Sequence, residues 1–145
     1  MKVLLDTNVL IEFFRAPEKR ETFESRAGRP LVFLSSIVVL ELFAGCRTSR
    51  QTKALESFLK PFEKAGRILI PDYESFRKTG KVLAALGRDN VEASRRRIMV
   101  NDVLIAVTAV RSGAVLVSAN AHDFRLIEQY LGLRWILPDS HFNHA

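Results

Sequence analysis

The sequence is poor in residues that staple or span. It holds one cysteine, Cys46, in 145 residues, so no disulfide can form within the chain and a disulfide scaffold is excluded. A lone cysteine fits a reducing cytosol. No uncharged stretch exceeds the eleven residues of Pro30–Leu40 and of Ser112–His122, well short of the ~20 needed to cross a bilayer. Nor does the N-terminus read as a signal peptide, because Asp6 interrupts the apolar run after Val3-Leu4-Leu5. The three histidines, His122, His141 and His144, lack zinc-site spacing and are expected to face solvent. There is no Gly/Ser linker, low-complexity tract or repeat. The expectation is a single cytoplasmic domain over residues 1–137 with a tail at 138–145.

What is present belongs to a folded protein. The chain is 48% hydrophobic and 26% charged, with mean hydropathy +0.05, which excludes a disordered chain. Basic residues number 22 and acidic ones 16, a net charge of +6. That excess favours an anionic partner. Nucleic acid is the commonest such partner; an acidic protein or a membrane surface also fits.

Short apolar runs alternate with longer helical segments, the pattern of an α/β protein with a parallel sheet. Strands are expected at Val3–Leu5, Leu31–Leu34, Arg67–Ile70, Ala114–Ser118 and, at an edge, Leu133–Leu137. Helices are expected over Thr7–Arg15, Glu18–Arg26, Ile37–Ala44 capped by Ser36, and Ser49–Lys64 with Pro61 disturbing its end. Others run from a cap at Asp72 to Leu86, through a buried segment ending at Arg111, and over Asp123–Leu131 closed by Gly132. Residues 88–97 read as polar and basic connection.

Acidic residues fall where an open α/β sheet gathers its chemistry, outside the carboxyl ends of the strands. Asp6 follows the first strand, where it can also cap a helix. Glu41 is the only charge in an apolar helix expected to be buried. Asp102 is the only charge between Ile98 and Val110, with Ala106 and Ala109 on its side leaving room for an approach. A buried carboxylate needs a cation or donors nearby, so a structural ion pair is the alternative for both. Asn120 and Asp123 follow the fourth strand, where a capping box is the alternative. Oxygen-only ligands suit Mg²⁺ or Mn²⁺ rather than zinc.

Four segments carry a family resemblance. They are Val3-Leu4-Leu5-Asp6-Thr7-Asn8-Val9-Leu10-Ile11, Ser35-Ser36-Ile37-Val38-Val39-Leu40-Glu41-Leu42-Phe43-Ala44-Gly45, Asn101-Asp102-Val103-Leu104-Ile105-Ala106 with Thr108-Ala109, and Val117-Ser118-Ala119-Asn120-Ala121-His122-Asp123-Phe124. In that order and spacing they resemble the motifs of PIN-domain ribonucleases, of the kind found as toxins in VapBC toxin–antitoxin pairs. The resemblance implies a three-layer α/β/α fold with five parallel strands in order 3-2-1-4-5. It implies RNA hydrolysis with one or two Mg²⁺ or Mn²⁺ ions at Asp6, Glu41 and Asp102. It also implies a homodimer and a small antitoxin partner. Many relatives carry Asp at the position of Asn120, so Asn120 or Asp123 completes the set.

Four converging carboxylates would repel one another without a cation. Divalent ions would neutralise them, lower the pKa of a bound water and stabilise the leaving oxygen. Thr7 is placed to bond a ligand or to start the helix. Setting four acids aside leaves twelve against 22 basic residues, a surface suited to an RNA backbone. Arg95, Arg96 and Arg97, with Arg47, Arg50 and Lys53, are the candidate contacts. Phe13, Phe14 and Phe43 read as core or dimer-interface residues. An aspartate-nucleophile phosphatase wants a second aspartate where Asn8 stands. A housekeeping RNA-processing nuclease and a non-catalytic RNA-binding domain of the same fold remain the competing readings.

Overall fold

β-branched and leucine-rich runs too short for helices pair side by side, and the helices between them cover the sheet. A computed structural model describes residues 1–140. Five strands, β1 (Lys2–Leu5), β2 (Leu31–Ser35), β3 (Ile68–Leu69), β4 (Val115–Val117) and β5 (Trp135–Ile136), form one parallel sheet. Their order is β3-β2-β1-β4-β5, as expected. Val3 stands opposite Val32 on one side and Val115 on the other. Val3, Leu4, Leu34, Leu116 and Val117 are wholly buried, as central parallel strands require.

The helices are α1 (Thr7–Arg15), α2 (Pro17–Arg26), α3 (Ser36–Ala44), α4 (Ser49–Lys64), α5 (Tyr73–Arg88), α6 (Ala93–Ile98), α7 (Val100–Ser112) and α8 (Ala121–Ile127). Their first turns follow the polar signals. Asp6, Asp72 and Asn120 each accept a bond from the first-turn backbone, and Thr48 and Gln51 complete a capping box on α4. Gly113, at φ 69, ends α7 in the left-handed conformation. No described helix is long and apolar enough to cross a membrane.

Several boundaries differ from the sequence expectation. Ser35, not Ser36, caps α3, its side chain accepting from the Ile37 amide at 3.1 Å. α8 starts two residues earlier than expected, because Asn120 captures the Asp123 amide, and it ends at Ile127, short of Gly132. Pro61 sits inside α4 without stopping it. Leu59 is buried there, and Phe58 and Phe62 pack on each other and on the core, which offsets the missing hydrogen bond. α6 was not legible because none of its six residues is buried, leaving no apolar period.

α3 also differs in burial. Only Val38 and Leu42 are buried, and Leu40 is 62% exposed. Ala106 and Ala109 are both at zero exposure, so they fill the core rather than open an approach to Asp102. At the exit of α2 the chain takes two successive left-handed residues, Gly28 (φ 65) and Arg29 (φ 53). That conformation costs a residue with a Cβ about 1–2 kcal/mol.

Candidate active site

Strand order reverses between β1 and β4, and the crevice at such a switch lies beyond the strands' carboxyl ends. Asp6 leaves β1 there, its amide bonded to the Val117 carbonyl of β4 at 3.0 Å. The side chain is 4% exposed. Oδ1 caps α1 through the Thr7 amide (2.8 Å), while Oδ2 accepts from Ser118 Oγ (2.6 Å) and Asn8 Nδ2 (3.1 Å). Burial pushes its carboxyl above the usual range, and these three donors pull against the shift.

Glu41, on α3, faces the same crevice. Its Oε1 accepts from Thr7 Oγ1 at 3.0 Å. Burial raises its pKa first and the Asp6 charge adds to that, against the hydrogen bonds of Thr7 and Asn101. Asp102, in the first turn of α7, is pushed up to about 7. Burial is the largest cause, followed by the charges of Asp6, Asp123 and Glu41. An Asn120 hydrogen bond opposes them. Among the described residues neither Glu41 nor Asp102 has an ion-pair partner. The structural salt bridge is therefore not the reason these charges are inside.

Asn120 joins two acids. Its Nδ2 donates to Asp102 Oδ2 at 3.1 Å and to Asp123 Oδ2 at 3.0 Å, while its Oδ1 accepts from the Asp123 amide at 3.3 Å. An amide with its carbonyl toward the carboxylates would satisfy neither side, so the orientation follows from its partners. Only half a capping box exists, because the Asn120 amide bonds Ser118 Oγ (3.0 Å) and the Asp123 carboxylate is spent elsewhere. Burial works to raise Asp123, but Asn120 and Arg95 outweigh it and hold its pKa low.

The cation on Asp123 comes from α6. Arg95 Nη2 lies 3.2 Å from Asp123 Oδ1 and 3.0 Å from Nε2 of the exposed His122. Next to it, Arg96 turns inward. Its Nε donates to the Val91 carbonyl at 3.1 Å, and its guanidinium covers Gly87 so closely that a Cβ there would stand 2.9 Å from Cζ. Arg97 is exposed, as are Arg47, Arg50 and Lys53 around the start of α4. Phe13 is core, Phe43 is partly buried against it, and Phe14 is half exposed with its ring edge-on to Phe58. His141 and His144 lie outside the described residues.

The donor set is oxygen only, which suits a hard divalent cation. Among the described residues no three His, Cys, Asp or Glu side chains are close enough together to encircle one ion. The acids act on one another electrostatically without forming a cage. The sequence did not single out Asn8, Ser118 or Asn101 as site residues. The only signals were position, two residues after Asp6, at the end of β4 and next to Asp102.

Comparison with known proteins bears on this arrangement. The PIN domain family profile matches residues 3–129. The chain is 31% identical to ribonuclease VapC2 of Haemophilus influenzae, over 94% of this chain and 99% of that one. The crystal structure of a DNA-bound VapBC from Salmonella typhimurium superposes with a TM-score of 0.67 at 27% identity, over 95% of this chain and 98% of that one. FitAcB from Neisseria gonorrhoeae shares the fold, with a TM-score of 0.70 at 23% identity over 95% and 98%.

Proposed function

The chain belongs to the PIN domain family, and from that membership we propose that it is a divalent-metal-dependent endoribonuclease, the toxin of a cytoplasmic toxin–antitoxin pair. The observation that carries this reading is the convergence of carboxyl groups from four elements. Burial first, and then the charges of Asp6, Asp123 and Glu41, push Asp102 up to about 7, with no ion-pair partner of its own among the described residues. Asp6, Glu41, Asp102 and Asp123 would hold one or two Mg²⁺ or Mn²⁺ ions. When bound, such ions polarise a phosphoryl oxygen and supply a water of lowered pKa.

The chain's own residues do the rest. Ser118 and Asn8 fix the Asp6 carboxylate, Thr7 and Asn101 fix Glu41, and Asn120 fixes Asp102 against Asp123. A site held this way has little reorganisation left to do when its ligands arrive. Arg95 stands where it can pass from Asp123 to a substrate phosphate. Arg97, Arg47, Arg50 and Lys53 are exposed to meet the RNA backbone. Arg96, bonded to Val91, keeps α6 in place.

Two partners follow. A concavity of about 380 Å³ beside Glu41 is lined by Ile11, Phe14, Leu42, Cys46 and Leu55, and it suits an apolar antitoxin segment that places an arginine against the carboxylates. For a homodimer, the support is the apolar side chains left exposed on three helices that all pack on α7. Leu40 on α3, Tyr73 and Phe76 on α5 and Ile98 on α6 are all more than half exposed.

The test is cleavage of RNA with Mg²⁺ or Mn²⁺ by the native protein beside Asp102→Asn. Expression alone should arrest growth, and co-expression of the small protein encoded next to it should relieve the arrest. Metal-independent cleavage, or equal cleavage by the variant, overturns the proposal.

A further inference from the structure

At the edge of the sheet where strands begin, away from the acidic crevice, lies a basic concavity that the proposed chemistry does not use. It has a volume of about 400 Å³ and is lined by Arg20, Glu24, Arg29, Phe62 and Arg67 among others. Arg29 stands just before Pro30 and β2, and Arg67 just before β3. Glu24 is the acid on its wall, and it is taken by Arg20 at 2.7 Å. Among the described residues Arg29 and Arg67 have no ion-pair partner. Three guanidinium groups thus face one carboxylate, and two of them are uncommitted.

Backbone geometry gives a second, independent pointer. Arg29 holds φ 53 immediately after Gly28 at φ 65. Glycine would occupy position 29 without strain. A residue kept in a strained conformation marks a side chain with work to do. The backbone amide is satisfied by the Glu24 carbonyl at 2.7 Å, and no side-chain hydrogen bond holds the guanidinium among the described residues. What the arginine adds at this point is a planar, bidentate cation facing the concavity.

We propose that Arg29 and Arg67, with Arg20 behind them, form a second RNA-phosphate site that anchors the substrate at the end of the sheet opposite the acidic centre. Arginine forks match phosphate oxygens pairwise. Beside them Phe62 and Val32 offer an apolar wall to a base, the pairing of cation and aromatic that holds single-stranded nucleic acid. An acidic polypeptide would use the arginines and leave that wall idle. The proposal rests on the ribonuclease reading. It answers a difficulty within that reading, since a crevice of carboxylates repels the RNA it must cleave. A distal anchor supplies attraction away from the carboxylates of the crevice, and only an RNA long enough to reach both ends of the sheet gains from it.

The experiment measures binding of two labelled 2′-O-methyl RNA oligomers, one long and one of a few nucleotides, to the whole protein in Mg²⁺. The variants are Arg29→Gly, Arg67→Gln and, as a charge control, Lys81→Gln. Arg29→Gly and Arg67→Gln should each weaken the long oligomer by on the order of tenfold. Each should also lower the slope of log K against log salt by about 0.7. The short oligomer should be unaffected, and Lys81→Gln should change neither. Arg29→Gly relieves strain, so its melting temperature should hold or rise, which separates lost binding from lost folding.

Long-oligomer binding that is unchanged, or that falls no further than in Lys81→Gln, overturns the second site. Competition by poly-glutamate stronger than by the long RNA overturns it in favour of an acidic polypeptide. A native protein that binds neither oligomer overturns the ribonuclease reading itself.

Discussion

The side-chain amide of Asn120 donates to the carboxylate of Asp102 across 3.1 Å, tying the turn after β4 to the first turn of α7. The same nitrogen reaches Asp123 at 3.0 Å. A neutral donor therefore stands between two acids at a position where an aspartate would add a further charge. This clamp works without any ion, and under the proposed metal chemistry position 120 is where metal affinity and metal-free stability would trade against each other.

Asn120→Asp should keep the α8 cap, since aspartate caps as well as asparagine. It replaces two donated hydrogen bonds with two repulsions. In EDTA the variant should lose about 1–2 kcal/mol of stability, and saturating Mn²⁺ should return most of it. Asp123→Asn should instead raise the Mn²⁺ concentration for half-maximal cleavage while moving the melt little. An Asp123→Asn protein with an unshifted Mn²⁺ curve would remove Asp123 from the ligand set.

Asp102→Asn and Asp6→Asn should both abolish metal-dependent cleavage but differ in the melt. Asn at 102 can still accept from Asn120 and relieves the repulsion that raises Asp102, so its metal-free melt should be unchanged or higher. Asn at 6 turns a donor toward Ser118, Asn8 or the Thr7 amide, which is expected to cost about 1–2 kcal/mol. Thermal melts in EDTA separate the two.

Arg95→Gln frees Asp123 and removes a cation from the crevice. It should tighten Mn²⁺ binding about fivefold, as expected for a partly exposed charge pair worth roughly 1 kcal/mol, and it should weaken RNA binding. Arg97→Gln removes the same charge without touching Asp123. Calorimetry that finds the two variants alike would deny Arg95 a specific place at the acid.

Asp102 titrates near 7 in the folded protein against 3.8 when free. The native state thus holds more protons than the unfolded chain between about pH 4 and pH 7, and metal-free stability should fall as pH rises through that window. Asp6 and Glu41 shift in the same direction, while Asp123, held low, contributes the opposite slope at acid pH. Divalent ions favour the deprotonated acids. Mn²⁺ binding at pH 7 should release roughly half a proton from Asp102. Calorimetry in buffers of different ionisation enthalpy measures this.

The strand order was legible only through the family resemblance of the four motifs, whereas Asp6, Glu41 and Asp102 stood out in the residues themselves, because charge in an apolar segment is rare and strand ends are easily located. The roles of Ser118, Asn8 and Asn101 were not. Small polar residues at turns serve caps and surfaces equally well, and only the partner across the crevice tells them apart. The burial of α3 was overestimated for a related reason. An all-apolar helix reads as core, yet Leu40 faces outward. α6 hid in a run of arginines, one of which serves the fold, one the acid and one the solvent.

Gly87 bears on the packing next to the acidic crevice. The hydrogen on its Cα leaves the space that the Arg96 guanidinium fills. A methyl group there would force the Arg96 guanidinium to swing aside and strain its bond to the Val91 carbonyl. A residue on α5, bearing no side chain, thereby sets where the guanidinium next in sequence to the partner of Asp123 comes to rest.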